Sequence, residues 1–200
     1  MKVATPKESL QVWRRRGLYG KLCNVITYIC WTPQRSEEFT LIAQEAQPEK
    51  TAFQPIPATS TQWNSDFKVL KKVLQLRTGF EVFIARHLQD GLQNDQLDSE
   101  EWKEIQDITW LLELFHQCTL ELEGHQGNSA LYNLLPTMDY LLEHLEATKH
   151  HYTASNSISH LISSIELAWQ KLNTYYTLTD SNTAVYTAVV IHLGMKFEDF

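Results

Sequence analysis

A mainly α chain, several helices sharing apolar faces in a bundle-like domain, is what the sequence predicts, and three observations predict it. Apolar residues recur at spacings of three and four over most of the chain, the period of an amphipathic helix. Alternating patterns that would read as strands are nearly absent. The breaks between periodic stretches carry helix punctuation: Pro33, an Asp98/Glu101 pair, Gly124, Asn182 and Gly194.

The elements follow in order. Residues 10–45 read as helical, with Leu18, Leu22, Val25, Ile26 and Ile29 on one stripe; Pro33 interrupts, and Gln34–Ala46 resumes a weaker pattern. Residues 47–60 hold Pro48, Pro55 and Pro57 among Thr, Ser and Gln, a linker with Phe53 and Ile56 as anchors. The hexad Thr61-Gln62-Trp63-Asn64-Ser65-Asp66 opens the next helix, where Asn64 or Ser65 can accept from unpaired first-turn amides and Asp66 suits the first turn. Phe67, Leu70, Val73, Leu74, Phe80, Phe83, Ile84 and Leu88 predict one helix to about Gln89, weakened at Gly79.

Residues 90–96 form a turn, after which Asp98 and Glu101 make a capping-box arrangement. It launches Trp102, Ile105, Ile108, Leu112, Phe115, Thr119 and Leu122, with Gly124 as the stop. A further helix spans about 129–150, with Pro136 kinking it or marking its true start. Another spans about 155–176, and residues 179–182 break it and cap a last helix over about 183–193. The organisation predicted is a basic helical segment and linker over 1–60 and a helical domain over 61–200.

The net charge is −7, unevenly spread. Residues 1–35 carry seven Lys and Arg against Glu8 alone, a local +6 that leaves −13 on the rest. Arg14, Arg15, Arg16 and Lys21 could let this head touch phosphate while the acidic body stays soluble, or they lie in solvent as a helix cap. Seven glycines and six prolines are too few for a collagen-like or disordered chain. Cys23, Cys30 and Cys118 form no Cys-x-x-Cys pair, so neither a disulfide framework nor a zinc knuckle follows. Cys23 and Cys30, seven apart on one helix face, read as buried thiols. No signal peptide and no run of about 18 apolar residues is seen, so the expected habitat is intracellular, with no membrane partner.

Candidate chemistry is sparse. Gly17-Leu18-Tyr19-Gly20-Lys21 has two residues between its glycines where a phosphate loop needs four, and Leu22 stands where a hydroxyl is needed. Glu113 and His116 have Glu-x-x-His spacing, but no second copy exists, so solvent exposure is expected. His150 and His151 suit a helix C-terminus, where cationic imidazoles meet the dipole favourably. Neither a metal site nor a nucleophile signature assembles, so no catalytic residue and no metal ligand is predicted. Trp63 has two readings: a hydrophobic staple at a helix mouth, or a platform on which an unpaired base stacks.

Several stretches, in order, resemble hAT-superfamily DNA transposases of fungal type. They are Gly20-Lys21-Leu22-Cys23-Asn24 with Thr32-Pro33-Gln34-Arg35; Thr61-Gln62-Trp63-Asn64-Ser65; Trp102 with Leu122-Glu123-Gly124; Leu135-Pro136-Thr137-Met138-Asp139-Tyr140; and Trp169 with Tyr175-Tyr176 and Thr179-Asp180. The likeness spans roughly residues 13–200 and implies part of an RNase H-like domain, its leading segment and helical insertion. Full-length members use Mg²⁺ held by an Asp-Asp-Glu triad, whose acids the resemblance places before and after this region. The implied protein is a truncated, catalytically inactive transposase derivative without a cofactor of its own, nuclear, with residual contact to transposon-end DNA. Trp63, Gln62 and Asn64 would make that contact, joined by the basic head. Gln62 stands where the motif has arginine, which removes a fixed cation able to grip phosphate. The rival reading is a non-enzymatic helical module, co-opted from the same ancestor, that self-associates or binds a protein. A helical-bundle metalloenzyme is the weakest of the three.

Overall fold

The computed structural model describes residues 17–48, 63–123, 131–154 and 159–191. Among these residues there are eight α-helices and no strand, as the periodicity predicts. They are α1 (Gly17–Cys30), α2 (Pro33–Ala46), α3 (Trp63–Gln75), α4 (Arg77–Arg86), α5 (Ser99–Leu122), α6 (Leu134–Ala154), α7 (Ser159–Asp180) and α8 (Thr183–Ile191). The chain forms two compact units, Met1–Trp110 and Leu111–Phe200, divided within α5. No helix among the described residues is long and apolar enough to cross a membrane.

In the first unit, α1 buries Leu22, Val25, Ile26 and Ile29 of the expected stripe, while Leu18 at its start is half-buried. Pro33 starts α2 rather than breaking a longer helix. Its missing N–H falls where none is needed, and the Thr32 hydroxyl accepts from the Arg35 amide at 3.3 Å. Phe39 of α2 meets Phe80 and Phe83 of α4 in edge-on contacts, with centroids 4.9 and 5.7 Å apart. Gly79 of α4 lies against Ala43 of α2 so closely that a Cβ there would sit 3.1 Å from the Ala43 Cα.

The single helix expected over 67–89 is two. Leu76 leaves helical geometry (φ −106°, ψ 17°), and its amide is shared between the Lys72 and Val73 carbonyls. The break sits where Leu76 is itself buried, so the chain turns to bury Leu76 with Phe80 and Phe83 on a common core. Gly79, expected as the weak point, is instead a packing contact. Helix α3 starts at Trp63, which puts Asn64 and Ser65 inside its first turn rather than at its cap. Asp66 is the first-turn acid, as expected.

Short 3-10 turns at Leu88–Asp90 and Leu92–Asn94 lead on from α4, hinged at Gly91, whose φ of 109° suits glycine. The capping box forms in both directions. Glu101 N–H donates to Asp98 Oδ1 at 2.8 Å, and Asp98 N–H donates to Glu101 Oε2 at 3.1 Å. Trp102 and Ile105 then bury the first turns of α5. Cys23 is buried as expected, but Cys30 is exposed: it ends α1, where the apolar stripe has run out.

In the second unit, α6 and α7 are an antiparallel pair. Tyr176 donates to Asp139 at 3.4 Å, Trp169 to Glu146 at 3.0 Å, and Lys149 pairs with Glu166, so one helix descends as the other climbs. Leu141, Leu145, Leu161 and Ile165 fill the seam. Pro136 lies in the first turn of α6, which settles it as a start. His151 lies in the last turn of that helix. Asn182 caps α8 by accepting from the Ala184 amide at 3.0 Å. Gly124, Gly194 and the linker anchors Phe53 and Ile56 lie outside the described residues.

Candidate nucleic-acid interface

Helix α3 is amphipathic, and its two faces have opposite chemistry. Phe67, Val69, Leu70 and Val73 are buried. Asn64, Lys68, Lys71 and Gln75 follow at steps of four, three and four, so they share a second face, with Lys72 beside it. Lys68 and Lys71 are exposed, and Asn64 and Lys72 are half-buried. The Lys71 ammonium lies 5.4 Å from the centre of the Phe67 ring, snorkelling over the apolar edge.

The one acid of α3 is tied down. Asp66 accepts a hydrogen bond from the Tyr19 hydroxyl of α1. Burial, and then the neighbouring carboxylate, hold the Tyr19 phenol far above its ordinary range, so it stays a donor. Within α3 itself, this outer face is built of lysines and amides, and the helix's one acid lies off it, on a chain whose net charge is −7. Such a face attracts polyanions and offers ammonium donors to phosphate oxygens.

Of the residues predicted from sequence, only some fall in this frame. Trp63 is the first residue of α3, in register with Phe67 and Leu70 four and seven residues on; its side chain, like Gln62, Arg14, Arg15 and Arg16, lies outside what the structure describes. Position 63 is thus aligned with the buried stripe, whereas Asn64 is aligned with the lysines. Lys21 lies elsewhere. Its ammonium pairs with Glu101 at 2.5 Å and donates to the Gln96 carbonyl at 3.3 Å, fastening α1 to the start of α5.

The lysine face was missed by sequence reasoning, although its signal was present as Lys at 68, 71 and 72, off the apolar stripe. A second polar group had no sequence signal at all. Tyr28, Arg35, Glu38, His87 and Asp90 converge from three segments. So do Asn24 and Asp95, buried partners 3.0 Å apart and 71 residues apart in the chain.

Among the described residues, no group of three or more His, Cys, Asp or Glu side chains could hold a metal ion. Glu113 and His116, expected in solvent, are half-buried on α5. The two-glycine stretch at 17–21 opens α1 as helix, with Gly20 buried, and makes no phosphate loop.

Fold and surface together define a helical domain with a cationic helix face and no metal-holding carboxylate cluster among the described residues. Residues 7–111 match the family model of the ZBED1 RNase-like helical domain, and the chain belongs to that transposase-derived family. The matched segment nearly coincides with the first compact unit. No curated protein and no solved structure matches the chain.

Proposed function

We propose that this chain is a fungal-type hAT transposase derivative that contacts DNA and does not cut it. The observation that carries the reading is the set of three lysines, Lys68, Lys71 and Lys72, that α3 places off its buried stripe inside the family-matched segment. Contacts of this kind read the phosphate backbone and confer little sequence preference. The sequence adds the basic run Arg14–Arg16 to the same matched segment, and the nucleus is the compartment that suits such a partner. The catalytic part is supported by the described residues, among which no carboxylates converge as the metal ions of strand cleavage require.

Fluorescence anisotropy with duplex and hairpin DNA at about 50 and about 200 mM salt tests this. Binding that weakens steeply with salt is expected. Replacing Lys68, Lys71 and Lys72 with Gln lowers the slope of log affinity against log salt by roughly one per lysine. Absence of binding at the lower salt, or an unchanged slope in the triple variant, overturns the reading. Nicking of DNA by the purified chain with magnesium or manganese overturns the catalytic part.

One observation favours a second reading, self-association or a protein partner. On α7, Leu167, Tyr175 and Leu178 are at least half exposed and fall on one side of the helix at steps of eight and three. Sedimentation velocity decides: a monomer at all concentrations argues against self-association through this stripe.

A further inference from the structure

The connection between α4 and α5 lies along one polar stripe of α1. Lys21, Asn24 and Tyr28 are spaced three and four residues apart and so share a helix face. Tyr28 donates to Asp90 at 3.4 Å, Asn24 to Asp95 at 3.0 Å, and Lys21 to the Gln96 carbonyl at 3.3 Å. The segment 87–98 is therefore a strap running antiparallel to α1, fastened near both ends and in the middle.

Its leading end is closed by His87, whose two ring nitrogens both face carboxylates. Nδ1 lies 2.8 Å from Asp90 Oδ2, and Nε2 lies 3.2 Å from Glu38 Oε2. A neutral imidazole has one N–H and can satisfy only one of them; the imidazolium donates to both. The ring is held for this role. It packs on Phe83 of α4 with centroids 4.5 Å apart and on Tyr28 of α1 at 5.5 Å, and its side chain is only 15% exposed.

The charged and titratable groups around the ring come from each neighbouring element: Tyr28 from α1, Arg35 and Glu38 from α2, and Asp90 from the strap. The Arg35 guanidinium is stacked over the Tyr28 ring at 3.8 Å, so the imidazole itself meets the two carboxylates and the Tyr28 hydroxyl, which lies 3.5 Å from Nδ1. Burial pushes the Tyr28 phenol up, which keeps it a donor to Asp90. The hydrogen bond from His87 holds the Asp90 carboxyl below the usual carboxylate range.

We propose that His87 is a proton-operated clasp: in its imidazolium form it locks the leading end of the strap onto α2, and on losing its proton it releases one of its two carboxylates. The sign follows from the groups named. The clasp needs the cation, so it is present at low pH and lost as pH rises through the imidazole titration. It also needs the Asp90 anion, whose lowered titration keeps the contact until the pH falls below the ordinary carboxylate range. Closure thus requires the imidazolium together with both carboxylates in their anionic form. The consequence is local: opening loosens the 88–90 turn while buried Leu92 and the Asn24–Asp95 bond hold the far end of the strap.

Amide hydrogen exchange on the full chain, expressed as protection factors, reads the clasp. The Asp90 amide, bonded to the His87 carbonyl at 3.1 Å, reports the leading end, and the Asp95 amide, bonded to the Leu92 carbonyl at 2.9 Å, serves as control. Between about pH 5.5 and about pH 8, Asp90 protection falls roughly five- to tenfold, the size of one partly exposed charge-assisted hydrogen bond, and Asp95 protection changes less. His87→Gln removes the change, and Glu38→Gln and Asp90→Asn each shrink it. The imidazole resonance of His87 titrates with the same midpoint as Asp90 protection, which tests the clasp in the unmutated chain. A pH-independent Asp90 amide, an unaltered change in His87→Gln, or a mismatch of midpoints overturns the proposal.

Discussion

Gly79→Ala separates two physical effects of opposite sign, and the structure gives the size of each. In a helix interior, Ala is preferred to Gly by about 1 kcal/mol, so by propensity alone the substitution stabilises α4. The added methyl, however, meets Ala43 Cα and Cβ at 3.1 Å each, inside the 3.4 Å at which ordinary contact begins. One of these atoms is backbone, so α2 and α4 must part by about 0.3 Å along a seam filled by Phe39, Phe80 and Phe83. Overpacking of this kind costs about 1–3 kcal/mol. The balance is a net destabilisation of about 0–2 kcal/mol, against a gain of about 1 if the helices were not in contact. Urea unfolding followed by far-ultraviolet circular dichroism measures it. Ala43→Gly removes one of the two opposing atoms, so the double variant is less impaired than the sum of the singles by roughly 0.5 kcal/mol or more. Stabilisation by the full propensity term, with additive singles, would refute the close approach of α2 and α4.

Four further outcomes are expected. Asp98→Ala removes one half of the capping box and costs about 1 kcal/mol in the same unfolding assay, whereas Glu101→Ala costs more because it also frees Lys21. Asp95→Ala removes a buried acceptor of the Asn24 amide and costs about 1–3 kcal/mol, and an unchanged midpoint would refute the buried pair. Tyr19, whose folded-state titration is raised, contributes stability that is whole below about pH 10 and is lost as pH rises beyond it; Tyr19→Phe removes that alkaline loss in pH-dependent unfolding. Trp63→Ala distinguishes the two roles of the indole: a lower unfolding midpoint with unchanged DNA affinity marks a staple, and weaker hairpin binding by about 1–3 kcal/mol with an unchanged midpoint marks base stacking.

Helix class, most helix bounds and the capping box were legible because each is written in residues a few positions apart. Asp98 and Glu101 must satisfy one another whatever the rest of the chain does, and Pro33 and Pro136 can only sit comfortably in a first turn. Leu76 shows where this fails. Its residues have helical periodicity on both sides, and nothing local says that burying it with Phe80 and Phe83 outweighs a continuous hydrogen-bond ladder. Gly79 is the complementary case. Propensity marks it as a defect, and only the distant Ala43 shows why a side chain is not wanted there.

The candidate interface divides along the same line. A basic head was visible as a run of arginines, but its nearest described member, Lys21, is spent on Glu101 and Gln96. Counting charge along a sequence weighs every lysine alike, whereas the field at a surface depends on which acids are already engaged. On α3 the only acid is engaged by Tyr19, 47 residues away, on the side of the helix turned from Lys68 and Lys71. The reverse holds around His87, where two carboxylates flank one imidazole and the local charge follows the proton. In both places the sequence supplies the groups and tertiary pairing decides their sign. The same unit therefore carries a cationic face on α3 and a proton-dependent fastening beside α2.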